Sequence, residues 1–266
     1  LKPNLQKDVT TFSFGENWKA YLKNASIEDQ HAAAQDISEW LGEDRVKGRS
    51  VVDIGCGSGI HSLAFHRMGA KKVISFDADI HSVEATRKLW QEAGEPSNWQ
   101  VSEGSILDKQ VVDQLGQHDI VYSWGVLHHT GAMWEAMANA IELVQPGGYF
   151  WIAIYQKGPK YPKHLKQKIR YNKASETGKK LIVYRTVALK MLGRLTRLKN
   201  PIGVFRPKRR GMSRYHDIID WLGGLPYEVA SPEEVESFCQ GKGLQLEKIK
   251  VRKEGSNNFF LFTLPG

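Results

Sequence analysis

Cysteine is almost missing from this chain. Of 266 residues only Cys56 and Cys239 are cysteine, which supplies neither a metal-ligand spacing nor a disulfide framework and points to a reducing compartment. No apolar run approaches the roughly 20 residues that cross a bilayer, although 41% of the residues are hydrophobic. No secretory leader is read at Leu1, so a folded, cytoplasmic protein with a sizeable core and no transmembrane segment is expected. Acid is scarce in one place. Between Lys157 and Arg210 there are eighteen Lys and Arg and one acid, Glu176, in a chain whose total charge is +8. The rest of the chain is therefore net acidic, and the basicity is local.

What is present begins with a glycine turn. Residues 51–54 read as a short buried strand, Gly55, Gly57 and Gly59 as a tight turn, and 58–67 as the helix that follows. Glycine tolerates backbone angles closed to other residues and lets a ligand lie against the main chain. A dinucleotide fingerprint would place its third glycine at Ile60 instead, so nothing demands a pyrophosphate. Cys56 suits the small size such a turn requires; a reactive thiol beside a ligand is the alternative. A second strand, 73–77, ends on Asp77, which is placed to accept hydrogen bonds from both hydroxyls of a ribose, or to cap a helix. Asp79 is placed to cap the helix carrying Val83 and Leu89.

Four further elements agree. A third strand around Trp99 precedes Ser102, Glu103, Gly104, Ser105 and Ile106; residues 119–125 read as a fourth strand, with His128 and His129 behind it. Leu143, Val144, Gln145, Pro146, Gly147 and Gly148 then turn into a fifth strand at 150–155. Across roughly residues 45–156 this pattern resembles the class I methyltransferases that use S-adenosylmethionine (SAM) and release S-adenosylhomocysteine. The resemblance implies an α/β, Rossmann-like fold: a seven-stranded, mostly parallel sheet with an antiparallel last strand, helices on both faces and a helical cap inserted after strand 5. It also implies that Asp53, Gly55, Cys56, Gly57 and Gly59 hold the amino-acid end of the cofactor, Asp77 and Ala78 its ribose, Ser105 and Ile106 its adenine, with Ser123 at the end of the fourth strand. Many members carry an acid where this chain has Ser105. A sulfonium methyl is already activated, so such an enzyme aligns a nucleophile and excludes water, with no metal required. His128, His129 and His216 are the candidate proton acceptors, because histidine titrates near neutrality; the alternative is that they orient loops through backbone hydrogen bonds.

The chain divides into an N-terminal helical lid (1–45), a cofactor-binding core (46–156), a basic cap (157–224) and a segment completing the sheet (225–266). Phe12, Phe14 and Trp18 precede a helix at 26–40, and Trp18 either covers the cofactor or staples the terminus to the core. In the cap, 163–174 and 178–198 have helical periodicity. On the second, Leu181, Tyr184, Ala188, Met191, Leu192, Leu195 and Leu198 form an apolar stripe opposite Lys179, Lys190, Arg194 and Arg197. Either the stripe packs on the core or on a second subunit with the lysines solvated, or the charge attracts an acidic small molecule or an anionic membrane carrying a lipid-like substrate. Nucleic acid is the third reading, without a recognised RNA module. Arg214, Tyr215, His216 and Asp217, in a stretch with little apolar periodicity, read as substrate-facing together with Trp124; a capped turn is the alternative. Ser231, Pro232 and Glu234 start a helix ending at Gly241 or Gly243, and 244–251 and 258–264 are the closing strands. The expected activity is SAM-dependent methylation of a small molecule at oxygen or nitrogen. The alternatives are an RNA or protein methyltransferase and a non-catalytic SAM-binding module. Ser123-Trp124-Gly125-Val126 stands where enzymes that methylate base amino groups carry N/D-P-P-Y/F. The oligomeric state is left open.

Overall fold

A computed structural model of the chain describes residues 27–198, 200–201 and 214–266, and gives only the backbone at 27, 28 and 214–217. Short apolar runs make the centre of the sheet. All five residues of β1 (Ser50–Ile54) are buried, and β2 (Lys72–Asp77) and β4 (His118–Trp124) flank it in parallel. With β3 (Trp99–Glu103), β5 (Val144–Tyr155), β6 (Gln245–Lys250) and β7 (Asn257–Thr263) the sheet runs β3-β2-β1-β4-β5-β7-β6, and β7 is antiparallel to both neighbours.

The two-residue period of the strands sorts side chains into two apolar layers. Val52, Ile54, Val121 and Phe150 face α4 (Lys109–Leu115), α5 (Met133–Glu142) and α9 (Pro232–Gln240). Val51, Tyr122 and Trp151 face α1 (Ile27–Trp40), α2 (Ile60–Arg67) and α3 (Ile80–Glu92). Capping is as the sequence reads: Asp79 accepts from the His81 N–H at 2.9 Å, and Ser231 with Glu234 forms a reciprocal capping box. Asp119 pins β4 to β1 by accepting from the backbone N–H and the hydroxyl of Ser50.

The fold departs from expectation in three places. The Pro146-Gly147-Gly148 turn lies inside β5 as an irregularity, not before it; a Cβ at Gly148 would sit 2.8 Å from the Gln145 carbonyl. The stretch Arg214–Gly223 is a helix, α8, because Ile218 and Leu222, one turn apart, are both buried. The third departure is the orientation of a cap helix. With α6 (Tyr161–Asn172) and α7 (Glu176–Leu195), α8 encloses a separate core of Tyr171, Val183, Val187, Ile218 and Leu222. On α7 the inward face therefore belongs to Val183 and Val187. Of the readings open for the stripe, packing on this chain's own core is the one that does not hold: Leu181 69%, Tyr184 61%, Leu192 56% and Leu195 57% are exposed, and only Met191 packs partly inward.

Candidate active site

The carboxyl ends of β1, β2 and β4 open into a cavity of about 1740 Å³, closed on the far side by the cap and by the loop joining β6 to β7. A single small-ligand pocket usually occupies roughly 300–1,000 Å³, so there is space for two molecules side by side.

One half is built on the glycine turn. Gly55, Gly57 and Gly59 all have positive φ, and a Cβ at Gly55 would lie 2.4 Å from a methyl of Val126, so no other residue fits. The turn is tied to the second strand through Asp77. One carboxylate oxygen accepts from the Gly57 N–H at 3.0 Å and the other from the Asp79 N–H at 2.9 Å, leaving lone pairs on both for a ligand. Burial outweighs these bonds and pushes the Asp77 carboxyl up to about 6.

Asp53 ends a buried relay. The Trp99 indole donates to Ser75, Ser75 to Ser62 and Ser62 to the Asp53 carboxylate, at 2.8, 2.7 and 2.5 Å. Burial raises Asp53 to about 7, against the Ser62 hydrogen bond and with help from the charge of Asp77. Two buried carboxylates turned to one cavity call for a ligand that brings positive charge and hydrogen-bond donors.

The residues singled out from sequence divide on inspection. Asp53, Gly55, Cys56, Gly57, Asp77, Ala78, Ser105, Trp124 and His129 line the cavity. Gly59 does not: a Cβ there would meet Thr86 of α3 at 2.8 Å, so its smallness serves helix packing. The Ile106 side chain enters the core, and Leu107 takes its place at the wall. Ser123 is buried and donates to the Ile54 carbonyl at 3.1 Å, which ties β4 to β1. His128 is wholly buried among other rings, 4.2 Å from Tyr155 and 4.5 Å from His129, and lies off the cavity. Trp18 and the side chains of Arg214, Tyr215, His216 and Asp217 lie outside the described residues. The Cys56 thiol accepts from Thr86 and is raised well above its usual value, mainly by burial, so it is a packing group and not a nucleophile.

His129 is oriented. Its Nδ1 lies 2.6 Å from the Pro226 carbonyl, which can only accept, so Nδ1 carries the proton and Nε2 keeps its lone pair. Burial, then the nearby Lys168, lower its pKa to about 3. The imidazole is thus neutral at physiological pH, a hydrogen-bond acceptor more than a base, and the expectation of titration near neutrality is corrected.

Sequence reasoning had singled out Trp124 and Lys190 but missed the rest of the aromatic floor and of the far wall. Trp40, Tyr122, Trp124 and Phe259 form the floor, with Trp124 and Phe259 centroids 4.4 Å apart. Their signal was spread over the end of α1 (Trp40), alternate positions of β4 (Tyr122 and Trp124) and β7 (Phe259). The far wall carries Lys190 of α7, Lys250 at the end of β6, and Arg252 and Lys253 of the β6–β7 loop. Glu254, in the same loop, accepts from the Lys160 backbone N–H and so ties the loop to the start of α6. Behind this wall Lys168 is completely buried, donating to the Trp221 carbonyl and lying 4.5 Å from the Tyr227 ring and 4.9 Å from that of Trp221. Burial lowers it to about 7, with Asp220 opposing.

Comparison with known proteins follows the same outline. A methyltransferase domain matches residues 45–212. The ubiquinone biosynthesis O-methyltransferase of Bordetella avium (strain 197N) is 30% identical over 165 residues, 60% of this chain and 66% of that protein. A ribosomal protein L11 methyltransferase of Tolumonas auensis is 43% identical over 56 residues, 21% of this chain and 19% of that protein. The chain thus spans just under two thirds of the first relative and a fifth of the second. The crystal structure of magnesium protoporphyrin IX methyltransferase from Synechocystis PCC 6803, with bound S-adenosylhomocysteine, superposes with a TM-score of 0.57 at 13% identity over 93% of each chain, a likeness of fold.

Proposed function

The chain belongs to the methyltransferase-domain family, whose cofactor is SAM, and on that premise we propose that it methylates an oxygen or nitrogen of a small, anionic acceptor. The carrying observation is the division of charge across the cavity. Asp53, Asp77, Asp79 and Glu103 stand on the side of the glycine turn, and Lys190, Lys250, Arg252 and Lys253 on the side of the cap, where they outnumber Asp220 and Glu254 of the same wall.

The acidic half suits the cofactor. Gly55 and Gly57 offer bare main chain to its amino-acid end, Asp53 faces its ammonium group, and the oriented carboxylate of Asp77 accepts from its ribose. Ala78, Ser105 and Leu107 bound the adenine side. The bound cofactor supplies an activated methyl group on a positively charged sulfur. The floor of Trp40, Tyr122, Trp124 and Phe259 presents aromatic faces that favour a cation and exclude water.

The basic half selects and aligns the acceptor. Lys190, Arg252 and Lys253 attract an anionic group and hold it away from the acidic half, which fixes the direction in which the molecule enters. His129 Nε2 accepts a hydrogen bond from the acceptor hydroxyl or amine and turns a lone pair of that atom toward the methyl. Its low proton affinity makes it a positioning group; the proton leaves to water at the open side of the cavity. Free, buried Cys56 and Cys239 support a cytoplasmic site of action.

The test uses methyl-labelled SAM and the small-molecule fraction of a cell extract. Label should enter an anionic metabolite, and Arg252→Glu with Lys253→Glu should cut the rate about tenfold or more while SAM affinity stays unchanged. Label entering only the RNA or protein fraction, or a rate indifferent to these charge reversals, would refute the proposal.

A further inference from the structure

Helix α7 is amphipathic in the reverse of the usual sense. Its inner face carries Val183 and Val187 onto Tyr171, Ile218 and Leu222, and brings Thr186 and Lys190 to the cavity. Its outer face carries Leu181, Tyr184, Leu192 and Leu195, more than half exposed, in two pairs three residues apart that lie eight residues from each other, about two helical turns. From Leu181 to Leu195, 15 residues, the stripe is about 21 Å long. Packing on α6 and α8 fixes the roll of the helix, so the stripe stays outside.

We propose that this outer face docks on an anionic lipid bilayer. Charge decides between the occupants of such a face. Lys180, Arg185 and Arg197 are exposed on or just beyond the same helix, in a segment of eighteen Lys and Arg with Glu176 as its one acid. A second copy meeting it about a two-fold axis would set that positive segment against itself. An anionic headgroup layer attracts it, and leucines under a ring of Lys and Arg are the composition of a helix lying in the membrane plane. No helix among the described residues is long and apolar enough to cross a membrane, so the contact is peripheral. Because Thr186 and Lys190 line the cavity from the inner face of the same helix, docking would hold the cap wall of the cavity beside the headgroups, near an amphiphilic acceptor with an anionic head. That consequence rests on the acceptor class proposed above; the docking itself does not.

The experiment is co-sedimentation of the full chain with vesicles of phosphatidylcholine alone and of phosphatidylcholine with phosphatidylglycerol. Binding is expected only with phosphatidylglycerol, weakening as salt rises. Leu181→Gln with Leu192→Gln should reduce it by about tenfold or more, and Lys180→Glu with Arg185→Glu by a similar factor. The leucine variant should keep its thermal midpoint and its SAM affinity. Equal binding to both vesicle types, or none to either, would overturn the proposal. So would a midpoint lowered by Leu181→Gln with Leu192→Gln, because the stripe would then be covered within the folded chain. Sedimentation velocity showing a dimer that the leucine variant dissociates, without vesicle binding, would assign the face to a second copy instead. Labelled methyl transfer measured without vesicles tests the functional reading separately.

Discussion

Replacing Asp77 by asparagine separates its two tasks. One is structural: its two oxygens accept from the Gly57 and Asp79 N–H groups at 3.0 and 2.9 Å. Asparagine keeps one acceptor and turns an NH₂ toward the other N–H, so one buried donor is stranded, at a cost of about 1–3 kcal/mol in stability. The second task, under the proposed function, is to receive the ribose. Hydrogen bonds to a charged group contribute about 1.5–3 kcal/mol, so the dissociation constant for SAM should rise between roughly 10-fold and 150-fold. The pH dependence distinguishes this loss from mere loosening of the turn. The Asp77 carboxyl is raised to about 6 in the free protein, and only its ionised form accepts from both hydroxyls. In the parent protein, affinity should therefore fall as pH drops through 6, by about tenfold at pH 5. Asp53, raised to about 7, titrates nearby, and whatever pH dependence persists in Asp77→Asn reports that second carboxylate. Isothermal titration at pH 5, 6 and 8 with both proteins is the assay. Identical pH profiles for the two, or an unchanged dissociation constant at pH 8, would sink the assignment of Asp77 to the ribose.

Gly55→Ala should destabilise the fold by about 2–4 kcal/mol in urea unfolding, because its φ is 72° and the new Cβ would lie 2.4 Å from Val126. Adding Val126→Ala removes the two methyls but leaves its Cβ 2.9 Å away, so it should recover only part of the steric loss and leave the backbone part; no recovery would mean that the Val126 methyls are not what excludes a side chain there. Lys168 titrates at about 7 when folded against an ordinary 10.5, so between those values the unfolded chain holds a proton that the folded chain does not, and stability rises with pH. The lowering corresponds to a gain of about 5 kcal/mol over the whole range, of which about 3.5 kcal/mol falls between pH 7 and 10. Lys168→Met should remove that pH-dependent gain, and an unfolding free energy in urea that rises equally from pH 7 to pH 10 in both proteins would refute this.

The cofactor half was legible because its signals are local. Three glycines and two acids lie within 25 residues, each next to an apolar run, and strand periodicity fixes which end of the sheet they occupy. Gly59 shows where that stops: it belongs to the same motif, yet it faces Thr86 because a three-residue turn presents its members in different directions. His128 and His129 are adjacent in sequence, and only the Pro226 carbonyl, 97 positions away, determines which ring reaches the cavity and in which tautomer. Lys168 read only as one of the eighteen cations between Lys157 and Arg210. Its burial depends on Trp221 and Tyr227, supplied by segments more than fifty residues away.

The cap illustrates a more general limit. Helical periodicity establishes that α7 has an apolar stripe, but not which side the rest of the fold covers. Leucines outnumber valines along it, so composition favours burying the stripe. The structure buries Val183 and Val187, because α6 and α8 meet the helix on that side, at Tyr171, Ile218 and Leu222. The helix then shows its polar side to the cavity and its apolar side outward. One segment can thus select an anionic acceptor inside and hold to an anionic surface outside, with both faces set by the same small cluster of packed side chains. Substitutions that thin this cluster, such as Val187→Ala, should therefore weaken acceptor selection and vesicle binding together, whereas Leu192→Gln should weaken only the second.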